Sequence, residues 1–599
     1  MLPEKRKSSQ IEKLVVKNTT LTEPKLIANG LNQYFTGIAQ AVLADSGREN
    51  NATVTPALVG GTVSIHQEEQ FEASFVFKSV SNEQAYKALC SLNNGKATGA
   101  DGIPVKALKL ASGYIAPSIA YLCNESFRLG VYPSAWKVAR VTPLFKGGNA
   151  SDCDNYRPIS VLPCISKIHE SFANSQLQEF AAETDLISKN QFAYKRHTSC
   201  NVALLLLIDQ WKQAIDKKCL TVAVFLDLRK AFDVINHEIL LSKLKLAGVT
   251  GTTHKWFESY LEHRKQYVVC KGSSSDILNL RYGVPQGSVL GPSLFSIHYD
   301  GVKSAVEFSD CTLYADDTEI HSSDPSAIHA ANCVNKDLKN VSNWLTQNQM
   351  VPHPGKSVAM KIGSRPALRR SDDIDIRFDD HHLKEVSTVK YLGIHIDSAL
   401  TWMQHQDYIC KRIYPKLRLL YRLSHFLSRD VLLKIYKQTI LPILDYGSTV
   451  WLDCPKGMAD KLERLQNQAL RTILKANRRT CSQVMRETCG ILTLKNRRRF
   501  LRFQLIFKIV YNYKCPEHLV SYLPKRSSLR TKTLRDEHLL NLPQAKSATG
   551  QSTFKFSAAR DWNSLPLHLR KISNFNSFKS NIYVFLLECD QRDHLCSVQ

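Results

Sequence analysis

Long apolar runs are missing from this 599-residue chain: the longest aliphatic stretches, at 203–208 and 222–226, fall far short of the roughly 18 residues a membrane span requires. A helical membrane span is excluded, and no membrane partner is expected. The 16 cysteines include no C-x-x-C pair, and the start, MLPEKRKSSQ, lacks the apolar core of a secretory signal. Both absences suit a reducing intracellular compartment, while the early KRK is too short to serve as an address. Cys589, His594 and Cys596 lie close together, but three candidate ligands at that spacing leave tetrahedral zinc incomplete, so no metal is expected there. Acidic residues are also scarce: 54 Asp plus Glu stand against 79 Lys plus Arg, a net charge of +25, and such an excess points to a polyanionic partner. No internal repeat is visible. What is present is the composition of a folded protein, 43% hydrophobic and 9% aromatic, well away from disordered chains.

Four regions are expected. Residues 1–75 read as a peripheral connector, with a helical patch at 24–43 and a Gly/Ser/Thr/Asn linker at 46–64. Order becomes legible at Ser81-Asn82-Glu83-Gln84, a capping-box pattern followed by Ala85, Ala88, Leu89 and Leu92 at helical spacing. From 76 to 400 short apolar runs alternate with amphipathic helices: strands at 138–145 and 220–226, helices at 202–215, 237–247 and 254–262. That alternation is α+β or α/β. Residues 401–480 turn helical, with Leu462, Leu465, Ala469 and Ile473 on one face, and 481–599 continue as a basic region interrupted by a linker at 521–552.

Chemistry concentrates in two acidic places. The run Thr221-Val222-Ala223-Val224-Phe225-Leu226 reads as a buried strand that delivers Asp227 to a sheet's end. In 311–321 two β-prone arms flank Asp316 and Asp317, which reads as a hairpin with both carboxylates at its tip. Adjacent ionised carboxylates repel, and such a pair is either fully solvated or neutralised by a cation. If the sheet brings Asp227 beside them, the oxygen-rich set suits two Mg²⁺ ions, with Mn²⁺ as a substitute, for in-line phosphoryl displacement.

FLDLRKAFD (225–233), GVPQGSVLGP (283–292), LYADD (313–317) and KYLGIHID (390–397), in this order, resemble the reverse transcriptases of non-LTR retrotransposons of the jockey-like kind. Flanking blocks are similar too: NNGKATGADGIP (93–104), ARVTPLFKGG (139–148), NYRPISVLPCISK (155–167) and RLQNQALRTIL (464–474). The resemblance implies an α+β right hand of fingers and palm over 76–400 with a helical thumb over 401–480. It implies RNA-directed DNA polymerase activity, with an RNA template, a DNA primer, their RNA–DNA duplex and dNTPs as partners. By the same resemblance Asp227, Asp316 and Asp317 are the metal ligands, joined by the carbonyl of Leu228. Phe232 lies under the incoming sugar, where a bulky ring excludes a 2′-hydroxyl. Lys146 and Arg157 clamp the triphosphate. Gln286 and Gly287 line the nucleotide pocket, Lys356 protonates departing pyrophosphate, and Leu392 with Gly393 form the turn that holds the primer end. Gly355-Lys356-Ser357 has the ending of a Walker A loop, but Met350 stands where the first glycine belongs.

The parent elements carry an N-terminal endonuclease, and this chain begins in what resembles the connector after it, so the expectation is a polymerase without its own nicking activity, a truncated copy, or a sequence that misses upstream coding; nicking is supplied elsewhere if the element is mobile. The segment 191–199, one residue shorter than the family's run, His353-Pro354-Gly355 and Asp300 depart from the family pattern. Two rival readings remain: a catalytically silent nucleic-acid-binding protein derived from an element, and a metal nuclease.

Overall fold

The computed structural model describes residues 11–16, 18–47, 74–379, 381–452, 454–526 and 538–598, the last without the side chains from 593 onward. Most of the 46–64 linker, the 527–537 part of the later linker, and the side chains of His594 and Cys596 lie outside the described residues. The chain divides into two compact units, each assembled from separated segments. The first is Met1–Tyr194, Leu226–Glu307 and Asp337–His353; the second is Lys195–Phe225, Phe308–Lys336 and Pro354–Gln599. The mixed helix-and-sheet architecture read from the sequence is what the chain has.

In the first unit Val138–Phe145 is a strand with the expected ends. It pairs antiparallel with Tyr156–Val161, Leu144 facing Arg157, and parallel with Lys265–Cys270. Ser81 forms the capping box with Gln84 read from the sequence, starting the helix Asn82–Ser91. One expectation needs correction. The helix Pro24–Asp45 is not peripheral: Ile27, Leu31, Phe35 and Ile38 are buried, and it packs on the Lys265–Cys270 strand. Its buried Asn32 accepts from Gln266 Nε2 at 3.0 Å and donates to the Asp276 carbonyl at 2.8 Å. A buried amide satisfied from two sides fixes the helix in place.

In the second unit five strands run in the order Lys384–Glu385, Val358–Ile362, Leu220–Leu226, Asp317–Asp324, Asp310–Tyr314. Leu220–Leu226 occupies the centre, and all seven residues are buried, as its unbroken apolar sequence demands. The helices Met403–Leu423, Lys456–Leu474 and Leu494–Val510 follow; Leu462, Leu465, Ala469 and Ile473 form the buried stripe of the second. Late residues fasten onto the helix Cys200–Asp216. Asp209 accepts from the Tyr522 hydroxyl and the Phe554 amide, and Asp216 from the Lys546 and Ser547 amides and the Ser547 hydroxyl at 2.6–3.1 Å.

Candidate active site

In the first unit the chain leaves Leu226 as Asp227 and passes alongside 351–353. His353 N–H donates to the Asp227 carbonyl at 2.8 Å and Arg229 N–H to the Val351 carbonyl at 2.8 Å. These bonds flank the pair Leu228 and Pro352. In such a bridge the central residue's own carbonyl points away from the partner strand, so that of Leu228 is not used by this pairing. The chain then turns through Lys230, which holds a positive φ of 51°. Its ammonium reaches Asp154 Oδ1 at 2.8 Å, and the same oxygen accepts from the Tyr34 hydroxyl at 2.8 Å. Hydrogen bonding to Lys230 dominates in lowering the Asp154 carboxyl to about 2.

Phe232 is half-buried and stacks on Phe295, centroids 4.3 Å apart at 14°, with Tyr194 edge-on at 6.4 Å. Asp233 beside it takes both hydrogen bonds of the Gln286 amide, at 2.8 and 2.9 Å. Burial pushes the Asp233 carboxyl up, against Gln286 and the cations Lys230, Lys146 and Arg157. Gln286 therefore uses its amide on Asp233, a partner 53 residues away that no local pattern foretells.

The Gly-rich turn is held on two sides. Ser160 N–H donates to the Gln286 carbonyl at 2.8 Å. Gly287 has φ 124°, and a Cβ there would stand 2.6 Å from the Ser160 carbonyl oxygen. Only glycine fits. The helix that follows is Gly291–Tyr299. Buried Glu170 accepts from Val289 and Leu290 N–H at 2.7 and 3.2 Å, placing a carboxylate at that helix's positive end. Neither Glu170 nor Lys230 was singled out from the sequence.

Lys146 directly follows the strand Val138–Phe145, and Arg157 lies on the neighbouring one. Burial, then Lys230, then Arg157 lower the Lys146 ammonium from its ordinary value. Three cations thus crowd one place against two carboxylates, Asp154 and Asp233. A site with surplus, mutually repelling cations favours an anion. Asp300, a departure from the family pattern, is buried and accepts from the Ser188 N–H and hydroxyl at 2.8 and 2.9 Å, a structural use.

The second unit carries the acidic hairpin. Tyr314 pairs with Asp317, leaving Ala315-Asp316 as a two-residue turn. Asp316 is at the tip as expected, whereas Asp317 is the first paired residue of its strand. Ala315 has φ 55°, a conformation β-hairpin turns normally reserve for Gly, Asn or Asp. Thr221, at the start of the central strand, meets Ser323, near the end of the hairpin's second strand, with hydroxyl oxygens 2.8 Å apart. The two strands therefore run oppositely, and the Leu226 end lies at the acidic turn. Val358 pairs with Phe225 on the other side, antiparallel, so the exposed turn containing Lys356 comes to the same sheet end. Leu392 and Gly393, φ 43° and 80°, make the turn between Thr388–Tyr391 and Ile394–Asp397, and the Leu392 carbonyl accepts from the Tyr446 hydroxyl at 2.6 Å.

Of the expected residues, the first unit holds Lys146, Arg157, Asp227, Leu228, Phe232, Gln286 and Gly287; the second holds Asp316, Asp317, Lys356, Leu392 and Gly393. Among the described residues, no group of three or more His, Cys, Asp or Glu side chains forms a ready-made metal cage. The oxygen chemistry of Asp227, Asp316 and Asp317 is of the kind Mg²⁺ takes, a hard cation that keeps several waters and substrate oxygens. No described helix is long and apolar enough to cross a membrane.

Residues 146–396 match the family of "Reverse transcriptase (RNA-dependent DNA polymerase)". The chain is similar to the RNA-directed DNA polymerase from mobile element jockey of Drosophila melanogaster, 28% identical over 466 residues, 76% of this chain and 49% of that protein. It is also similar to the probable RNA-directed DNA polymerases from transposon BS, 28% over 417 residues (68% and 46%), and from transposon X-element, 29% over 391 residues (64% and 42%), both of Drosophila melanogaster. The chain spans about half the length of the curated relatives it matches.

Proposed function

From a chain whose residues 146–396 match the reverse transcriptase family, and which is similar to the RNA-directed DNA polymerases from mobile element jockey and transposon BS, we propose RNA-templated DNA synthesis: attack of a primer 3′-hydroxyl on the α-phosphate of a dNTP, with release of pyrophosphate. The observation that carries it is the strand order, in which the strand leading into Asp227 lies beside the hairpin bearing Asp316 and Asp317. In this reading those three carboxylates, with the Leu228 carbonyl, hold the divalent metal, Mg²⁺ with Mn²⁺ as substitute. The metal supplies the Lewis acidity that activates the hydroxyl and neutralises the leaving group.

The remaining steps belong to the chain's own side chains. Lys146 and Arg157, joined by Lys230, neutralise and orient the triphosphate. The Phe232 ring lies under the sugar; its stack on Phe295 keeps it from yielding to a 2′-hydroxyl. Gln286 fixes the Asp233 turn that carries Phe232, and Gly287 lets the backbone approach the nucleotide. Lys356 gives a proton to pyrophosphate, and the Leu392-Gly393 turn supports the primer end. The template is RNA, the primer DNA, and the product an RNA–DNA duplex.

Extension of oligo(dT) on poly(rA) with dTTP and Mg²⁺ tests this reading. The parent extends, and Asp316→Asn does not while keeping its circular dichroism spectrum. Extension by Asp316→Asn contradicts the assignment of the hairpin. A parent that binds RNA without extending supports the silent, element-derived binding protein instead.

A further inference from the structure

Two segments of the helical region contain no acidic residue. Residues 408–429 carry Lys411, Arg412, Lys416, Arg418, Arg422 and Arg429, and residues 464–486 carry Arg464, Arg471, Lys475, Arg478, Arg479 and Arg486. They cover the C-terminal parts of the helices Met403–Leu423 and Lys456–Leu474, which pack against each other and whose acidic residues, Asp407, Asp460 and Glu463, all lie nearer their N-terminal ends. At their C-terminal ends a cleft of about 750 Å³ opens, lined by Tyr421 and His425 on one side and Gln468, Arg471, Lys475 and Arg478 on the other. That is the volume of an organic ligand site.

Two features distinguish this cleft from an ordinary solvated basic face. First, aromatic rings stand in water beside the cations: Tyr421, in the cleft wall, is 60% exposed, and Phe426, outside the lining but next in the chain to the lining residue His425, is 85% exposed. His425 sits edge-on to Tyr421 at 5.3 Å, and to Phe426 at 6.5 Å. Second, Arg471 Nε is buried and has no hydrogen-bond partner among the described residues. The two helix C-termini contribute roughly half a negative charge each, too little to offset Arg471, Lys475 and Arg478. Exposed rings cost solvation and gain nothing from a polyanion's charge alone; they are useful to a ligand with flat apolar faces. A duplex hides those faces in its own stack, whereas an unpaired strand offers them.

We propose that this cleft binds unpaired, single-stranded RNA, stacking its bases on Tyr421 and Phe426 and pairing its phosphates with Arg471, Lys475 and Arg478. The inference rests on the polymerase reading only in taking a nucleic acid as the ligand, and it goes beyond the grip on a paired template and primer. Binding, measured without dNTPs and in EDTA, separates it from catalysis. The probes are a labelled oligo(U) of about 12 nucleotides, within the span of common single-strand sites, and a blunt RNA–DNA hybrid of equal length, read by fluorescence anisotropy on the full chain.

Tyr421→Ala with Phe426→Ala, both exposed and safe for folding, is expected to weaken oligo(U) binding by about 10-fold or more and hybrid binding by less than about 2-fold. Arg471→Gln with Arg478→Gln is expected to lower the slope of log affinity against log salt by about 1.4, from two phosphate contacts on a single strand. Unchanged oligo(U) affinity in the aromatic variant overturns the proposal, as do equal losses for oligo(U) and the hybrid. Displacement of oligo(U) by poly-glutamate as readily as by unlabelled oligo(U) also overturns it. Failure of primer extension in a chain whose oligo(U) binding behaves as described counts against the polymerase reading alone.

Discussion

Removing the Gln286 amide tests the polar contact that fixes the Phe232 turn. Gln286 donates to both oxygens of Asp233. Hydrogen bonds to a charged group contribute about 1.5–3 kcal/mol, and water replaces part of this at a half-buried carboxylate, so Gln286→Ala costs about 2 kcal/mol at neutral pH. The cost varies with pH in a definite direction. Burial raises the folded-state value of Asp233 above its ordinary one, so the protonated form is the one the fold accepts without help. A carboxyl raised in this way contributes stability that is fully present below the unfolded value and is lost as pH rises through the folded one. Without Gln286 the folded value moves higher still, and the loss extends further upward. The deficit of the variant relative to the parent is therefore small near pH 4, the ordinary carboxyl range, and grows as pH rises through the raised folded-state value of Asp233. Thermal unfolding followed from acid to neutral pH should show the gap widening to about 4–8 °C. Adding Asp233→Asn, which removes the charge, should abolish the widening. A gap that is constant with pH, or larger in acid, refutes the reasoning.

Other substitutions carry equally definite expectations. Gly287→Ala combines a strained φ with an overlap onto the Ser160 carbonyl, and should cost about 2–4 kcal/mol by thermal unfolding; a shift below a degree contradicts the close approach. On the proposed placement of Phe232 under the sugar, Phe232→Val should raise the ratio of ribonucleotide to deoxynucleotide incorporation by about 10- to 200-fold, the range of a methylene-scale discrimination, checked by single-nucleotide extension. Leu392→Gly relieves a positive φ and should stabilise the second unit by about 1 kcal/mol, net of glycine's greater unfolded-state entropy; destabilisation contradicts it.

Local pattern carried most of what the sequence revealed. The central strand was legible to its ends because six apolar or β-branched residues run unbroken into Asp227, and Val138–Phe145 because alternation and flanking turns bound it. The Ser81 capping box needs only four residues to be read. Contacts between distant residues left no such trace. Tyr34, Asp154 and Lys230 meet across separations of 120 and 76 residues, and Asn32 finds Gln266 across 234. The helix Pro24–Asp45 looked peripheral because its partner sheet lies more than 100 residues away in sequence. Nothing in the local sequence marks Asp209 and Asp216, though they hold the residues around Phe554 and Ser547. At the candidate site the motifs named the side chains proposed to act, while Gln286's bond to Asp233 and the cation cluster of Lys146, Arg157 and Lys230 became visible only in the fold.

The central claim is that Asp227, Asp316 and Asp317 share one metal-binding centre, and Mn²⁺ binding by electron paramagnetic resonance tests it most directly. With primer, template and a non-hydrolysable dNTP in place, Asp227→Asn, Asp316→Asn and Asp317→Asn should each weaken Mn²⁺ uptake relative to the parent. Parent-like uptake by Asp227→Asn, alongside loss in the two hairpin variants, would show that the strand-end carboxylate stands apart from the hairpin pair.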